Sequence, residues 1–163
     1  MRYYFAALIV GLFLGGSRWV QAATMSASDQ AAIVDFAQKA AVRTLDYNQG
    51  DRDSLMDAQE DFTPDGWREF MKWLNGWLDD KEAPLGSSKF SPTSEPVVKG
   101  EDNGVVRLAI PGTLRQLSRN AGGGVIGATY RAVIEIQAGG HPAKILHLKA
   151  TTCGGASTVQ SCK

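Results

Sequence analysis

Acid–base chemistry needs at least two titratable side chains converging in one pocket, and Asp46, Tyr47, Asp61 and Tyr130 are the residues of this chain that could be cast for it. One carboxylate would take up a proton and a phenol would donate one. Each has a simpler reading. Asp46 and Asp61 fall at helix ends, where carboxylates are common for capping reasons alone. Tyr130 stands on the apolar side of a strand, which makes it a core tyrosine with its hydroxyl satisfied.

Metal and nucleophile chemistry fare no better. Asp51, Asp53 and Asp57 could suggest a calcium loop, but Leu55 and Met56 interrupt them and no glycine supplies the sharp turn such a loop needs. They read as a solvated helix start. His141 and His147 have no nucleophile to activate, since no Gly-x-Ser-x-Gly elbow occurs. Gly122-Gly123-Gly124 is followed by a strand pattern and not by Lys-Ser or Lys-Thr, so it is a hairpin tip and not a phosphate loop. No catalytic residue, no metal site and no cofactor is expected.

Cys153 and Cys162 are the only cysteines among the 163 residues. In an oxidising compartment they are expected to pair and pin the tail, a bond worth about 2 to 3 kcal/mol for so short a loop. Pairing between two chains is the alternative. A zinc site would have to recruit His141 and His147, and that spacing fits no compact ligand template.

The elements that carry these residues change type along the chain. Ser26 or Ser28 can cap a helix whose Ile33, Val34, Ala37, Ala40, Ala41, Thr44 and Leu45 recur at three- and four-residue intervals. A weaker helix is predicted over 53–60. Thr63-Pro64-Asp65 then opens a third, with Thr63 capping and Pro64 in the first turn. Trp67, Phe70, Met71, Leu74, Trp77 and Leu78 form its apolar stripe, and Trp73 sits at the margin.

From Ala83 the period becomes two. Asp102-Asn103-Gly104 makes a turn before the strand that begins at Val105, and Pro111-Gly112 predicts a bulge or bend in it. Its return arm sets Ile126, Ala128, Tyr130, Ala132, Ile134 and Ile136 on a buried face and Thr129, Arg131, Glu135 and Gln137 on the other. Ala138 to His141 turns into a last strand. The expected fold is α+β, three N-terminal helices packed on one side of a curved antiparallel sheet of about four strands.

Arg2, the apolar run from Phe5 to Gly16 and Val20-Gln21-Ala22-Ala23 read as a secretory signal peptide cut after Ala22. The alternative is an uncut segment anchoring the chain in the inner membrane. The organisation is therefore a leader at 1–22, one α+β domain at 26–152 and a disulfide-closed tail at 153–163. There are 17 basic and 17 acidic residues, and loss of Arg2 and Arg18 with the leader gives a net charge of −2. That excludes a strongly basic nucleic-acid binder.

The run Asp61-Phe62-Thr63-Pro64-Asp65-Gly66-Trp67-Arg68-Glu69-Phe70 resembles a stretch of the DotI/IcmL/TraM proteins of type IVB secretion and conjugation machines. In that family an aromatic-Thr-x-x-Gly-Trp-x-x-Phe run lies between an N-terminal helix and an antiparallel sheet, as here. The resemblance implies the cone-shaped α+β fold shared with nuclear transport factors. It also implies a non-enzymatic periplasmic assembly or accessory subunit, membrane-proximal, whose partners are other secretion-system proteins, with a homo-oligomer as a further option. Typical members carry a cytoplasmic stretch and a transmembrane helix, which the short leader here does not match. Trp67, Trp73 and Arg131 are the candidate contact residues. The alternatives are a small-molecule-binding or isomerase-like member of the same cone fold, and an exported inhibitor or immunity-type protein.

Overall fold

The computed structural model of the protein describes residues 25–48, 52–78, 85–119 and 124–155. The expected leader, Asp51, Gly122, Gly123 and Cys162 lie outside the described residues, as does the side chain of Trp77.

Three helices come first: α1 (Ala27–Leu45), α2 (Arg52–Gln59) and α3 (Pro64–Leu78). Of the two candidate caps for α1, Ser26 does the capping. Its backbone is extended and its Oγ accepts the Asp29 amide at 3.1 Å, occupying a donor that a helix start leaves without an intrahelical partner. The buried stripe is Ile33, Ala37, Ala40, Ala41, Thr44 and Leu45, as the spacing predicts. Alanine at three of those positions lets the helix lie close to the sheet.

α3 begins as its sequence dictates. Thr63 Oγ1 accepts the Gly66 amide at 3.2 Å, and Pro64 occupies the first turn, where its missing N–H costs nothing. Gly66 is required by packing: a Cβ there would lie 2.7 Å from the carbonyl oxygens of both Ile145 and Leu146. The start of the Trp-rich helix is thus seated on the backbone of the last strand.

Five antiparallel strands follow: β1 (Leu85–Pro92), β2 (Val97–Asp102), β3 (Val105–Arg119), β4 (Val125–Gly139) and β5 (Lys144–Gly155). Their order is β1-β3-β4-β5, with β2 also paired to β3. Five strands stand where about four were expected because residues 85–102 divide into two short edge strands. Asn103 (φ 50°) and Gly104 (φ 78°) both take left-handed backbone between the paired Asp102 and Val105, the two-residue hairpin turn that Asn-Gly favours.

Pro111 and Gly112 do not make the bulge predicted for them. Both keep register with β4, opposite Val133 and Ala132. On the other side of β3 they mark an exchange of partners, since β2 pairs up to Ala109 and β1 from Gly112 onward. The Thr93 amide donates to the Pro111 carbonyl at 3.0 Å, so the edge of Pro111 that lacks an N–H faces this junction, where no regular ladder asks for one. Gly112 is forced by Phe90, whose ring would stand 2.4 Å from a Cβ at that position.

The helices pack on one face of the sheet. Ile33, Ala37, Ala41, Phe70 and Leu74 meet Phe90, Val106, Leu108, Ile110, Leu114, Ile134 and Ile136 in one core. Burial along β4 is one-sided as predicted from Ala132 to Ala138, but not before. Ile126, expected inside, is 51% exposed, and Tyr130 is only half-buried. The face alternates correctly; the helical layer covers only its second half.

Both sheet edges are partly closed. The Ile145 amide donates to the Asp61 carbonyl at 2.7 Å and the Thr63 amide to the Ile145 carbonyl at 2.9 Å, so the α2–α3 connection adds itself to β5. At the opposite edge the Ser88 amide donates to the Tyr47 carbonyl at 2.8 Å. Edge hydrogen-bonding groups that would otherwise invite another strand are thereby occupied.

Candidate binding surface

Residues alternating with the core residues form the other face of the sheet, and no described element packs on it. Paired positions set them in rows: Lys89–Arg115–Thr129, Thr113–Arg131–Cys153, Ala109–Glu135–Lys149 and Arg107–Gln137–His147. Arg107, Arg115, Arg131, Glu135 and Lys149 are exposed. Lys99, in the β2 irregularity between Val98 and Gly100, joins Arg107, Glu135, Gln137, His147 and Lys149 around a shallow cleft of about 320 Å³. A second register shift, in the β4·β5 pair after Gln137, falls beside Gln137 and His147 of the cleft lining. Such irregularities bend a strand and make a concave surface where a regular sheet would be smooth. Arg107 is laid over Gly100, a Cβ at which would stand 3.2 Å from its guanidinium.

Charge is divided between the two layers. Residues 26–78 hold ten acidic and five basic residues, net −5, and residues 85–155 hold eight basic and four acidic, net +4. The ion pairs follow the same division. Lys39–Asp35, Arg43–Asp61 and Arg68–Asp65 lie within the helical layer, and His147–Glu69, at 3.1 Å, joins it to β5. Among the described residues no carboxylate pairs with Lys89, Arg107, Arg115, Arg131 or Lys149.

No protein-family model and no curated protein matches the chain. Solved structures do. An IcmL-like type IV secretion system protein from Legionella pneumophila superposes with a TM-score of 0.53 at 14% identity, over 79% of this chain and 96% of that one. The periplasmic domain of DotI superposes with a TM-score of 0.53 at 18% identity, over 79% of this chain and 98% of the other. This chain has the fold of the DotI and IcmL-like domains. A periplasmic fragment of TraM aligns at 12% identity with a TM-score of 0.48, over 80% and 100% of the two chains.

In this DotI-like fold the sequence-predicted contact residues do not form one patch. Arg131 is exposed on the outer face. Trp67 and Trp73 are on the helical side, half-buried and packed on the core. Trp67 meets Phe62 edge to face at 5.4 Å between ring centroids and packs tilted on Phe70 at 5.6 Å, and Trp73 packs tilted on Phe70 at 5.7 Å. The aromatic residues of the Phe-Thr-Pro-Asp-Gly-Trp-Arg-Glu-Phe run therefore anchor α3 to the sheet. Cys153 is buried beside Arg131 and is not a free cysteine; its expected partner, Cys162, lies outside the described residues.

The residues cast for acid–base chemistry are not assembled into a pocket. Asp46 is exposed just after α1, and Tyr47 is buried against the β1 edge. Asp61 sits at the β5 edge, and its role is not capping. Its Oδ2 accepts from Arg43 Nε at 3.0 Å and from Nη2, which ties α1 to the α2–α3 connection. Among the described residues no three metal-ligating side chains cluster, and no helix is long and apolar enough to cross a membrane.

Sequence reading missed most of the basic face. It placed Arg131, Glu135 and Gln137 together, yet singled out Arg131 alone. The signal was available: Arg107, Arg131 and Lys149 all stand at positions that alternate with the core residues of their strands.

Proposed function

We propose that the chain is a non-enzymatic periplasmic assembly or accessory subunit of a type IV secretion or conjugation system, and that it binds protein partners through the outer face of its sheet. The observation that carries this reading is an exposed face of cations, without ion pairs among the described residues, on a fold shared with an IcmL-like type IV secretion system protein and with the DotI periplasmic domain. Among the described residues the inner face offers no rival site: Phe70, Phe90, Ile110, Leu114, Ile134 and Ile136 are at most 1% exposed and fill the space in which a cone-fold isomerase would hold its substrate. The leader delivers the chain to the periplasm, where a Cys153–Cys162 bond pins the tail beside Arg131. Trp73, flanked by Arg68 and Lys72, is a second contact point on the helical side.

The test is photocrosslinking in the host cell. A photoreactive residue in place of Arg131 or Arg115 is expected to capture a component of the secretion machine, identified by mass spectrometry, and one in place of exposed Lys39 on α1 is not. Capture from Lys39 alone, or none from any of the three, contradicts the reading.

A further inference from the structure

The basic sheet face has a complementary surface within the same chain. On α2, Asp53 and Asp57 stand one turn apart on one side of the helix, Glu60 follows in the turn after it, and all three are exposed. Beside them Met56 is 57% exposed, a large apolar side chain surrounded by carboxylates. Among the described residues none of these carboxylates has a cationic partner. The cleft on the sheet offers the converse. Around it Lys99, Arg107 and Lys149 outnumber Glu135 and, among the described residues, form no ion pair; the aliphatic stems of Arg107 and Lys149 can pack on a methionine while their charged ends meet carboxylates.

We infer that the occupant of this cleft is the α2 surface of a second copy of the chain. Three features favour a copy over an unrelated acidic protein. Both halves of the contact belong to this chain, and among the described residues no ion pair occupies either. The opposed layer charges, net −5 and +4, attract when copies stack with the helices of one on the sheet of the next. Without the leader the net charge is only −2, too small for overall repulsion to oppose the approach. The contact is heterologous, helix to sheet, and leaves one free α2 and one free cleft on every pair, so it continues into a chain or closes into a ring. This inference rests on the outer face being a protein-binding surface and names a partner for it.

The experiment is sedimentation of the purified protein at low and high salt, about 20 mM and about 500 mM, on either side of the range where exposed charges are screened. The wild type is expected to associate at low salt and to weaken at least ~10-fold at high salt. A sheet variant, Arg107→Glu with Lys149→Glu, and a helix variant, Asp53→Lys with Asp57→Lys and Glu60→Lys, are each expected to sediment as monomers. Mixed together they should form a one-to-one pair and nothing larger, because one intact α2 then meets one intact cleft. Arg107→Gln with Lys149→Gln serves where charge reversal disturbs the fold, as read by circular dichroism. A monomeric wild type, association that survives either variant, or a mixture that stays monomeric overturns the inference. A monomeric wild type that still crosslinks to secretion-system proteins through Arg131 would overturn this inference alone and leave the assembly reading standing.

Discussion

Alternate residues of β3, β4 and β5 build the two faces of the sheet, and the faces obey different rules. Ile134 and Ile136, which point toward the helices, are at most 1% exposed; Glu135 between them is exposed. The inner face is apolar and filled, so each of its side chains is held by many neighbours and any change is felt in folding. The outer face carries charges that are open to solvent, and its residues contribute little to stability. Contacts with other molecules can therefore be made on the outer face without disturbing the fold.

The sharpest way to break this contrast is to empty the inner face. Phe70→Ala removes a fully buried ring at the centre of the aromatic cluster and is expected to destabilise by about 3 to 5 kcal/mol, read from a denaturant titration. A loss below about 1 kcal/mol would mean that the helices are not what seals the sheet.

Asp61→Ala comes next. It strips the partner from Arg43, whose own side chain is 54% exposed and can turn to water, so the cost should be about 1 to 3 kcal/mol, less than for a wholly buried pair. Arg43→Ala leaves the buried carboxylate behind and is expected to cost more than the reverse change. Equal effects would place Asp61 in solvent.

Thr44 provides a finer test on the same side. Its hydroxyl is buried in the core without a hydrogen-bond partner among the described residues, so Thr44→Val is expected to stabilise by about 1 kcal/mol. A destabilised variant would reveal a partner for that hydroxyl. Smallest of all is Arg131→Ala on the outer face, expected to change stability by no more than about 0.5 kcal/mol in the same titration.

The contrast also explains what could be read in advance. Helix starts were legible because they depend on neighbours in sequence: Ser26 and Thr63 cap as their types require, and Asn103-Gly104 turns as its backbone freedom allows. The faces of β4 were legible from alternation alone. What escaped depends on residues far apart in the chain. The exposure of Ile126 follows from where the helical layer stops. The pairing of Asp61 with Arg43 follows from how α1 and the α2–α3 connection meet, and the regular ladder through Pro111 from where β1 and β2 exchange places on β3. The basic cleft needs Lys99, Arg107 and Lys149 brought together from three strands, and no one segment announces it.

The most direct test of the division between folding and binding faces is a transfer assay, for secreted protein or conjugated DNA, in host cells carrying Arg107→Glu, Arg115→Glu and Arg131→Glu together. The account predicts a protein that accumulates normally, melts within about 4 °C of the wild type, and no longer supports transfer. Undiminished transfer by the triple variant, at wild-type protein levels, would contradict it.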